Sequence, residues 1–393
     1  MVITKKVLRN VSLSAHPLGC RQYVEDQIAW VQNPKDAKYT TATQTMPKRV
    51  LVIGGSTGYG LSSRIVAAFG GGAGTINVSF EREPSERKTA TPGWYNTKVF
   101  EEHAQKKGLK AFSVFGDAFS DEIKEETANL IASQLGQVDL IVYSLASPLR
   151  VDPKTGVTYR SVLRPIEKPF TALSVNLDDP TITSETIEPA TSEQAEETIK
   201  VMGGEDWKLW IDYLKEKNLI AEDAVTVAYS YIGPELTYPV YREGTIGKAK
   251  EDLENTAKVL SNTLRAYVSV NKALVTRASA VIPVVPLYMA LLYEVMSEKG
   301  IHEQCTEQIW RLFTTRLYTD GPVPTDEKGR IRVDDWEMDP EVQAEVQKRW
   351  NLQKEGAALT GGNLALVQQE YDQIHGFGYG KIDYEADVDP REV

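Results

Sequence analysis

At 393 residues and 41% hydrophobic side chains, the chain is long enough to bury one large α/β core or two ordinary ones, which excludes a disordered or fibrous protein. A formal charge of -11 with no dense Lys/Arg run argues against nucleic acid or an anionic membrane surface as the main partner, while leaving room for a local basic patch. Two cysteines, Cys20 and Cys305, give no disulfide framework and suit a reducing compartment, so a cytoplasmic protein is expected.

In chain order, residues 2–13 alternate like an edge strand and lack the apolar core of a cleaved leader. The run Arg49-Val-Leu-Val-Ile-Gly54 has the β-branched, unbroken apolar character of a central parallel strand. It enters Gly54-Gly-Ser-Thr-Gly58-Tyr-Gly60 and leaves in a helical pattern over 61–69. Strands are expected at 75–80, 110–115, 138–144, 225–231 and 266–275, with helices at 121–135, 193–202 and 205–217. This alternation predicts an α/β fold, a Rossmann-type doubly wound parallel sheet. Residues 147–200 break the rhythm with prolines and Thr/Val alternation and read as an inserted small sheet or lid. The whole chain, 1–393, reads as a single large domain: 48–146 and 220–300 form a nucleotide-binding core, and 301–393 a mostly helical C-terminal extension. The apolar run 281–296 is broken by prolines and too short to cross a bilayer. No membrane partner is expected.

The glycine cluster has the G-x-x-x-G-x-G spacing of short-chain dehydrogenases in the right strand-to-helix context. Gly54 is expected to make the tight turn, Gly58 to let backbone approach a diphosphate, and Gly60 to allow close packing of the helix. Glu81, about twenty residues on, is placed to accept hydrogen bonds from the adenosine ribose and to repel a 2′-phosphate, so NADH is predicted over NADPH. The neighbouring Arg82 works partly against that repulsion. Asp117 reads equally as a partner of the adenine amino group or as a helix N-cap. Small residues in Tyr143-Ser-Leu-Ala-Ser147 suit close passage of backbone beside the nicotinamide ribose, and Leu274-Val-Thr276 stands where main chain holds the nicotinamide amide.

Tyr241 and Lys250 lie nine positions apart. On one helix that spacing turns through about 900° and points them to opposite faces. Both reach one substrate only if Tyr241 precedes the helix, with Gly244 turning the chain, Thr245 as N-cap and the helix starting at Ile246. A phenol is a weak acid, and the Lys250 ammonium is expected to lower its pKa and to hold ribose hydroxyls. Tyr231, ten positions upstream, brings a second phenol to a strand end; its alternative is plain core packing. Ketone-reducing relatives of such folds carry a serine about thirteen residues before the tyrosine, where this chain has Ala228. That disfavours a ketone substrate and favours a developing enolate. His16 with Cys20, and His302 with Cys305, match no common zinc spacing, so no metal is expected.

These residues carry a resemblance. Ser14-Ala-His-Pro-Leu-Gly-Cys20, Gly93-Trp-Tyr-Asn96, Gly116-Asp-Ala-Phe119, Val201-Met-Gly-Gly-Glu-Asp-Trp207, Tyr229-Ser-Tyr-Ile-Gly-Pro-Glu235, Lys272-Ala-Leu-Val-Thr276, Pro283-Val-Val-Pro-Leu-Tyr288, Asp334-Asp-Trp-Glu337 and Gly376-Phe-Gly378 all resemble segments of the trans-2-enoyl-CoA reductases. That family includes the V-type enoyl-acyl-carrier-protein reductases, and the likeness runs nearly end to end. Its mark is tyrosine and lysine separated by eight residues. The resemblance implies Tyr241 as proton donor, Lys250 as a supporting and cofactor-binding residue, and Tyr231 as a substrate contact. It implies NADH bound by Gly54, Gly55, Ser56, Thr57, Gly58, Tyr59, Phe80, Glu81, Asp117, Ala118, Leu145, Ala146, Leu274, Val275 and Thr276. Two positions depart from the family's pattern: Lys248, a second lysine in the motif, and Arg277.

The activity implied is NADH-dependent reduction of a trans-2-enoyl thioester in fatty-acid synthesis, the acyl group carried on CoA or acyl carrier protein, with residues 282–296 walling the acyl pocket. A monomer is carried as the working expectation. The alternatives are a ketoreductase of the same fold and a non-catalytic NADH-binding regulator.

Overall fold

The computed structural model describes residues 1–8, 11–34, 36–39, 45–277 and 284–393. A two-residue antiparallel pair, β1 (Val7–Leu8) with β2 (Val11–Ser12), precedes helix α1 (Pro17–Gln32) and strand β3 (Arg49–Ile53). Then come α2 (Gly58–Ile65), prolonged by a π-turn over Val66–Gly70, and β4 (Gly74–Ser79), α3 (Pro92–Lys106), β5 (Ala111–Phe115), α4 (Asp121–Gln134) and β6 (Val138–Tyr143). Two antiparallel hairpins follow, β7 (Leu149–Val151) with β8 (Thr158–Arg160) and β9 (Phe170–Asn176) with β10 (Asp179–Ile187). The chain continues through α5 (Ser192–Met202), α6 (Glu205–Glu216), β11 (Ile220–Ser230), α7 (Thr245–Leu260) and β12 (Arg265–Val270). It ends with α8 (Val285–Glu298), α9 (Cys305–Leu312), β13 (Ile331–Arg332), α10 (Pro340–Trp350) and α11 (Leu364–Ile374).

Seven strands form one parallel sheet in the order β13-β12-β11-β6-β3-β4-β5. Central β3 explains why this sheet must be covered on both sides: Val50, Leu51, Val52 and Ile53 are all fully buried. Alternate residues point to opposite faces, so Val50 and Val52 pack with Leu61, Ile65 and Ile309, while Leu51 and Ile53 pack with Ile131, Trp207 and Trp210. The strand order reverses between β3 and β6. Ligands of open α/β sheets bind at such a crevice, beyond the carboxyl ends of the strands.

Two expectations are corrected, and one helix is added. Residues 2–13 supply no edge to the main sheet, because β5 and β13 take the two edges and β1 pairs only with β2. Helix α3 is additional to the expected elements; in the sequence Gly93 and the charged Lys98, Glu101 and Glu102 interrupt its apolar residues, although Thr91-Pro92 marks its start. Strand β12 stops at Val270, short of the expected residue 275. Beyond it the amides of Lys272, Ala273 and Val275 donate to side chains of Gln308, Glu337 and Tyr293. A strand cannot continue once its ladder donors are taken.

Helix α8 is buried over almost its whole surface, in one cluster with Tyr241, Leu274, Val275, Val342, Val346 and Tyr371. Of the segment expected to wall an acyl pocket, residues 282 and 283 lie outside the described residues.

Candidate active site

The glycine turn sits at the crevice. Gly54 has φ +88°, and a Cβ there would lie 2.3 Å from the Ser144 carbonyl oxygen and 3.3 Å from Leu145 Cδ2. Gly60 is as constrained, since its Cβ would fall 2.0 Å from the Gly54 carbonyl oxygen. Gly58, at φ +53°, opens onto space in which only Thr276 Cγ2 comes within reach, at 3.7 Å. The turn from β3, the end of β6 and the loop after β12 therefore meet around one cleft. Asn77 Oδ1 fixes the turn by accepting the Gly55 amide at 2.8 Å. The N-cap of α2, Thr57, gives no side-chain cap, so the first-turn amides remain available to an anion.

Glu81 follows β4 with a side chain only 4% exposed. Its Oε1 accepts the Ser56 hydroxyl at 2.7 Å, while its Oε2 is buried without a hydrogen-bond partner among the described residues. Gly93 permits this placement, since a Cβ there would lie 2.1 Å from Oε1. An orphaned carboxylate oxygen beside an open glycine turn fits a ribose diol, and it opposes a phosphate in the same place. Arg277, not Arg82, is the cation nearest this carboxylate, at 3.6 Å. Phe80 is 83% exposed, an apolar ring at the rim. The other expected adenine-side residues are engaged within the chain: Asp117 Oδ1 accepts the Phe119 amide at 3.0 Å, and the Ala118 carbonyl accepts Lys124 Nζ and Trp210 Nε1, both at 3.1 Å. The N-cap of α4 is Ser120, not Asp117. Leu145 and Ala146 follow β6 directly.

Tyr241 lies in a turn ahead of α7, outside the helix, as its spacing from Lys250 requires. The N-cap is Gly244, one residue earlier than expected. Thr245 instead ties the helix start to the 162–164 segment: its amide donates to the Arg164 carbonyl at 3.0 Å and its hydroxyl to the Val162 carbonyl. The Tyr241 and Tyr231 rings meet edge to face, centroids 4.9 Å apart. Gly233, at φ +72°, lets the chain fold back over Tyr231, where a Cβ would come within 2.6 Å of the phenol oxygen.

Lys250 reaches the Tyr229 carbonyl at 3.2 Å, and burial lowers its pKa to about 8. Lys248 is exposed and pairs with Glu251 at 3.2 Å, so of the two lysines Lys250 is the inward one. The expected lowering of the Tyr241 pKa is not found. Burial first, and the Glu337 carboxylate second, push it upward, so Tyr241 is held as a neutral phenol.

Several residues to which the sequence gave no role complete the site. Glu337 is fully buried; Oε1 accepts the hydroxyls of Tyr288 at 2.7 Å and Tyr231 at 3.1 Å, and Oε2 accepts the Ala273 amide at 2.7 Å. The Tyr59 hydroxyl lies 2.9 Å from both the Lys272 carbonyl and Gln308 Oε1, which ties the glycine turn to the loop after β12. Tyr293 of α8 accepts the Val275 amide at 2.9 Å. Among these, Lys272 and Glu337 lay in family-like segments without an assigned role, Tyr288 and Tyr293 fell in the segment expected to wall the acyl pocket, and Gln308 carried no signal. Among the described residues no cluster of His, Cys, Asp or Glu is arranged to hold a metal.

Comparison with known proteins gives matches across nearly the whole chain. Residues 2–86 match a family model described as the NAD(P)H binding domain of trans-2-enoyl-CoA reductase, residues 88–318 one described as the trans-2-enoyl-CoA reductase catalytic region, and residues 325–388 one described as an enoyl reductase FAD binding domain. An enoyl-(acyl-carrier-protein) reductase (NADH) of Flavobacterium johnsoniae is 53% identical over 99% of this chain and 98% of its own. A trans-2-enoyl-CoA reductase (NADH) of Ruminiclostridium cellulolyticum is 49% identical with the same coverage. The crystal structure of Treponema denticola trans-2-enoyl-CoA reductase in complex with NAD superposes with a TM-score of 0.95 at 50% identity, covering 99% of this chain and 98% of the other. Residues 325–388 do not fit a flavin dinucleotide turn: β13 enters no glycine-rich loop, and Glu337 is committed to tyrosines and a backbone amide. No step below runs through a flavin.

Proposed function

Because the chain belongs to the trans-2-enoyl-CoA reductase family, we propose that it reduces the trans-2 double bond of an enoyl thioester to the saturated acyl thioester with NADH, in fatty-acid synthesis. The observation that carries this reading is the pair of phenols, Tyr231 against Tyr241, packed in one cluster with Leu274 and Val275 of the loop after β12 and with Tyr59 of the glycine turn. Bound NADH would supply the hydride that adds to the β-carbon.

The chain's own residues would do the rest. Gly54, Gly55, Ser56, Thr57, Gly58 and Tyr59 would cradle the diphosphate, and Glu81 would accept the ribose hydroxyls through its unpartnered oxygen. Phe80, Asp117 and Ala118 would border the adenine, while Leu145, Ala146 and the main chain of Leu274, Val275 and Thr276 would flank the nicotinamide. Lys250 would hold the nicotinamide ribose. As negative charge gathers on the thioester oxygen, the Tyr241 phenol would donate a hydrogen bond to it and serve as proton donor, with Tyr231 beside it as a substrate contact. A phenol whose pKa is pushed up suits that task, because it keeps its proton until an enolate forms.

Relatives named for each carrier stand at similar identity, so we propose both CoA and carrier-protein thioesters as substrates. Cytoplasmic action belongs to the same proposal and agrees with two unpaired, buried cysteines. The reading is tested by NADH consumption with crotonyl-CoA against acetoacetyl-CoA. Turnover with crotonyl-CoA alone is expected; turnover with acetoacetyl-CoA alone would assign a ketoreductase, and neither would leave an NADH-binding regulator.

A further inference from the structure

We propose that Glu337 is a positioning residue that sets the direction of the Tyr231 hydrogen bond, and so decides whether Tyr231 donates to the substrate oxygen beside Tyr241. This rests on the enoyl-thioester reading. The carboxylate has two distinct sides. Oε2 accepts the Ala273 amide, in the loop expected to hold the nicotinamide, and Oε1 accepts two phenols, Tyr288 and Tyr231. A single buried group thus spans the cofactor side and the substrate side of the cleft.

The two phenols are not equivalent. Gln343 Nε2 donates to the Tyr288 oxygen at 3.1 Å and to the Glu337 carbonyl at 2.6 Å, so the Tyr288 oxygen is already an acceptor and its proton points to Glu337. Tyr231 has no second donor of this kind among its hydrogen bonds; its Glu337 bond is free to run either way. While Glu337 is ionised, it accepts the Tyr231 proton, and Tyr231 can offer a substrate only an acceptor. Once Glu337 is protonated, Oε1–H donates to the Tyr231 oxygen, and the Tyr231 proton turns toward the substrate. Tyr241 has no such tie and donates in either state.

The groups facing this carboxylate come from every neighbouring element. They are Lys272 and Ala273 from the loop after β12, Tyr288 from α8, Tyr231 and Tyr241 from the segment after β11, Tyr59 from α2, and Asp334 on its own segment. Lys272 is itself fully buried, near Glu303 and Glu370. Burial outweighs the attraction of Lys272 and raises the Glu337 pKa to about 7, which brings the switch into an accessible range.

The test is the pH profile of kcat/KM for crotonyl-CoA at saturating NADH between pH 5.5 and 7.5, below the midpoint of Lys250 near 8, for the enzyme and for Glu337→Gln. Glutamine keeps an oxygen for the Ala273 amide and presents an NH2 group that donates to Tyr231, as the protonated acid does; toward Tyr288 it differs from that acid, since an NH2 group accepts no proton, and Tyr231→Phe below tests the Tyr231 bond apart from Tyr288. The unaltered enzyme is expected to lose several-fold in kcat/KM as pH rises through about 7. The variant is expected to stay flat at the low-pH level, and NADH affinity by fluorescence titration is expected to change less than about threefold. Glu307 is also raised to about 7, but it is common to both proteins and does not blur the comparison. Should Glu337→Gln not fold, Tyr231→Phe carries the test: its profile is expected to be flat, at or below the high-pH level. A flat profile for the unaltered enzyme, or a limb that persists with the same midpoint in the variants, would overturn the proposal. No consumption of NADH with crotonyl-CoA at any pH would instead overturn the function on which it rests.

Discussion

Tyr231 and Tyr241 meet with ring centroids 4.9 Å apart and planes at 85°, an edge-to-face contact that packs two hydroxyl-bearing rings in one buried cluster. The positive edge of one ring against the negative face of the other fixes both orientations. The positive-φ turn at Gly233 and the turn before α7 deliver the two rings from separate directions.

Glu81→Gln is expected to shift cofactor choice. The amide keeps the Ser56 hydrogen bond but removes the charge that opposes a 2′-phosphate, and Arg277 then stands nearby as an uncompensated cation. The NADPH-to-NADH ratio of kcat/KM should rise about tenfold or more, equivalent to about 1.4 kcal/mol. Steady-state kinetics with both nucleotides measures it, and an unchanged ratio would remove Glu81 from the ribose site.

Lys250 should give NADH binding an alkaline limb. Burial lowers its pKa from the ordinary lysine value to about 8, so the ammonium is present below that pH and lost above it. NADH affinity by fluorescence titration is expected to weaken as pH rises through about 8. Lys250→Met should lack that limb and bind about 10–100-fold more weakly at pH 7, the worth of hydrogen bonds to a charged donor. A limb that survives the substitution would assign it elsewhere.

Gly60→Ala is expected to damage the turn before any chemistry is tested. The new methyl would meet the Gly54 carbonyl oxygen at 2.0 Å, which forces α2 and the turn apart. A loss of about 1–3 kcal/mol in urea unfolding should accompany loss of NADH binding. By contrast, Gly72→Ala meets no neighbouring atom and should leave NADH binding intact, at a modest stability cost from its φ of +70°.

Buried His375 should contribute to acid sensitivity. Burial depresses its pKa from 6.5 to about 4, so below pH 6.5 the unfolded chain takes up a proton that the folded chain refuses. Its contribution to stability therefore falls as pH drops from 6.5 to about 4, by up to about 3 kcal/mol. Glu307 and Glu337, raised to about 7, act in the opposite sense over part of that window. The His375 share is isolated by comparing urea midpoints of the enzyme and His375→Gln across pH 4–7. The variant should show the smaller acid loss, and equal losses would contradict the assignment.

The central sheet was legible because β3 is an apolar run from Val50 to Ile53 and β6 one from Leu140 to Tyr143, a pattern that burial on both faces demands, while β4 shows only Ile76 and Val78 between polar residues. The placement of Tyr241 ahead of α7 followed from helix geometry and the turn at Gly244, and the glycine roles from their spacing between a strand and a helix; the close approach of Gly54 to Ser144 and of Gly60 to Gly54 agrees with the roles given to those two. What the sequence hid were long-range partners. Glu337 is 96 residues beyond Tyr241, and no local pattern announces that a carboxylate there will accept two phenols and an amide. The early end of β12 was hidden for the same reason, since its amides leave the ladder for side chains on α8, α9 and the segment before α10. The sign of the Tyr241 shift also depended on burial and on Glu337, neither of which is local.

The central claim is that the Tyr241 phenol stabilises and protonates the enolate formed on the thioester. It is tested most directly by NADH oxidation with crotonyl-CoA, comparing the enzyme with Tyr241→Phe while NADH affinity is followed separately. Turnover is expected to fall about 10²–10³-fold with NADH affinity unchanged, the usual cost of removing one donor from an oxyanion site. Near-unaltered turnover in Tyr241→Phe would contradict the assignment.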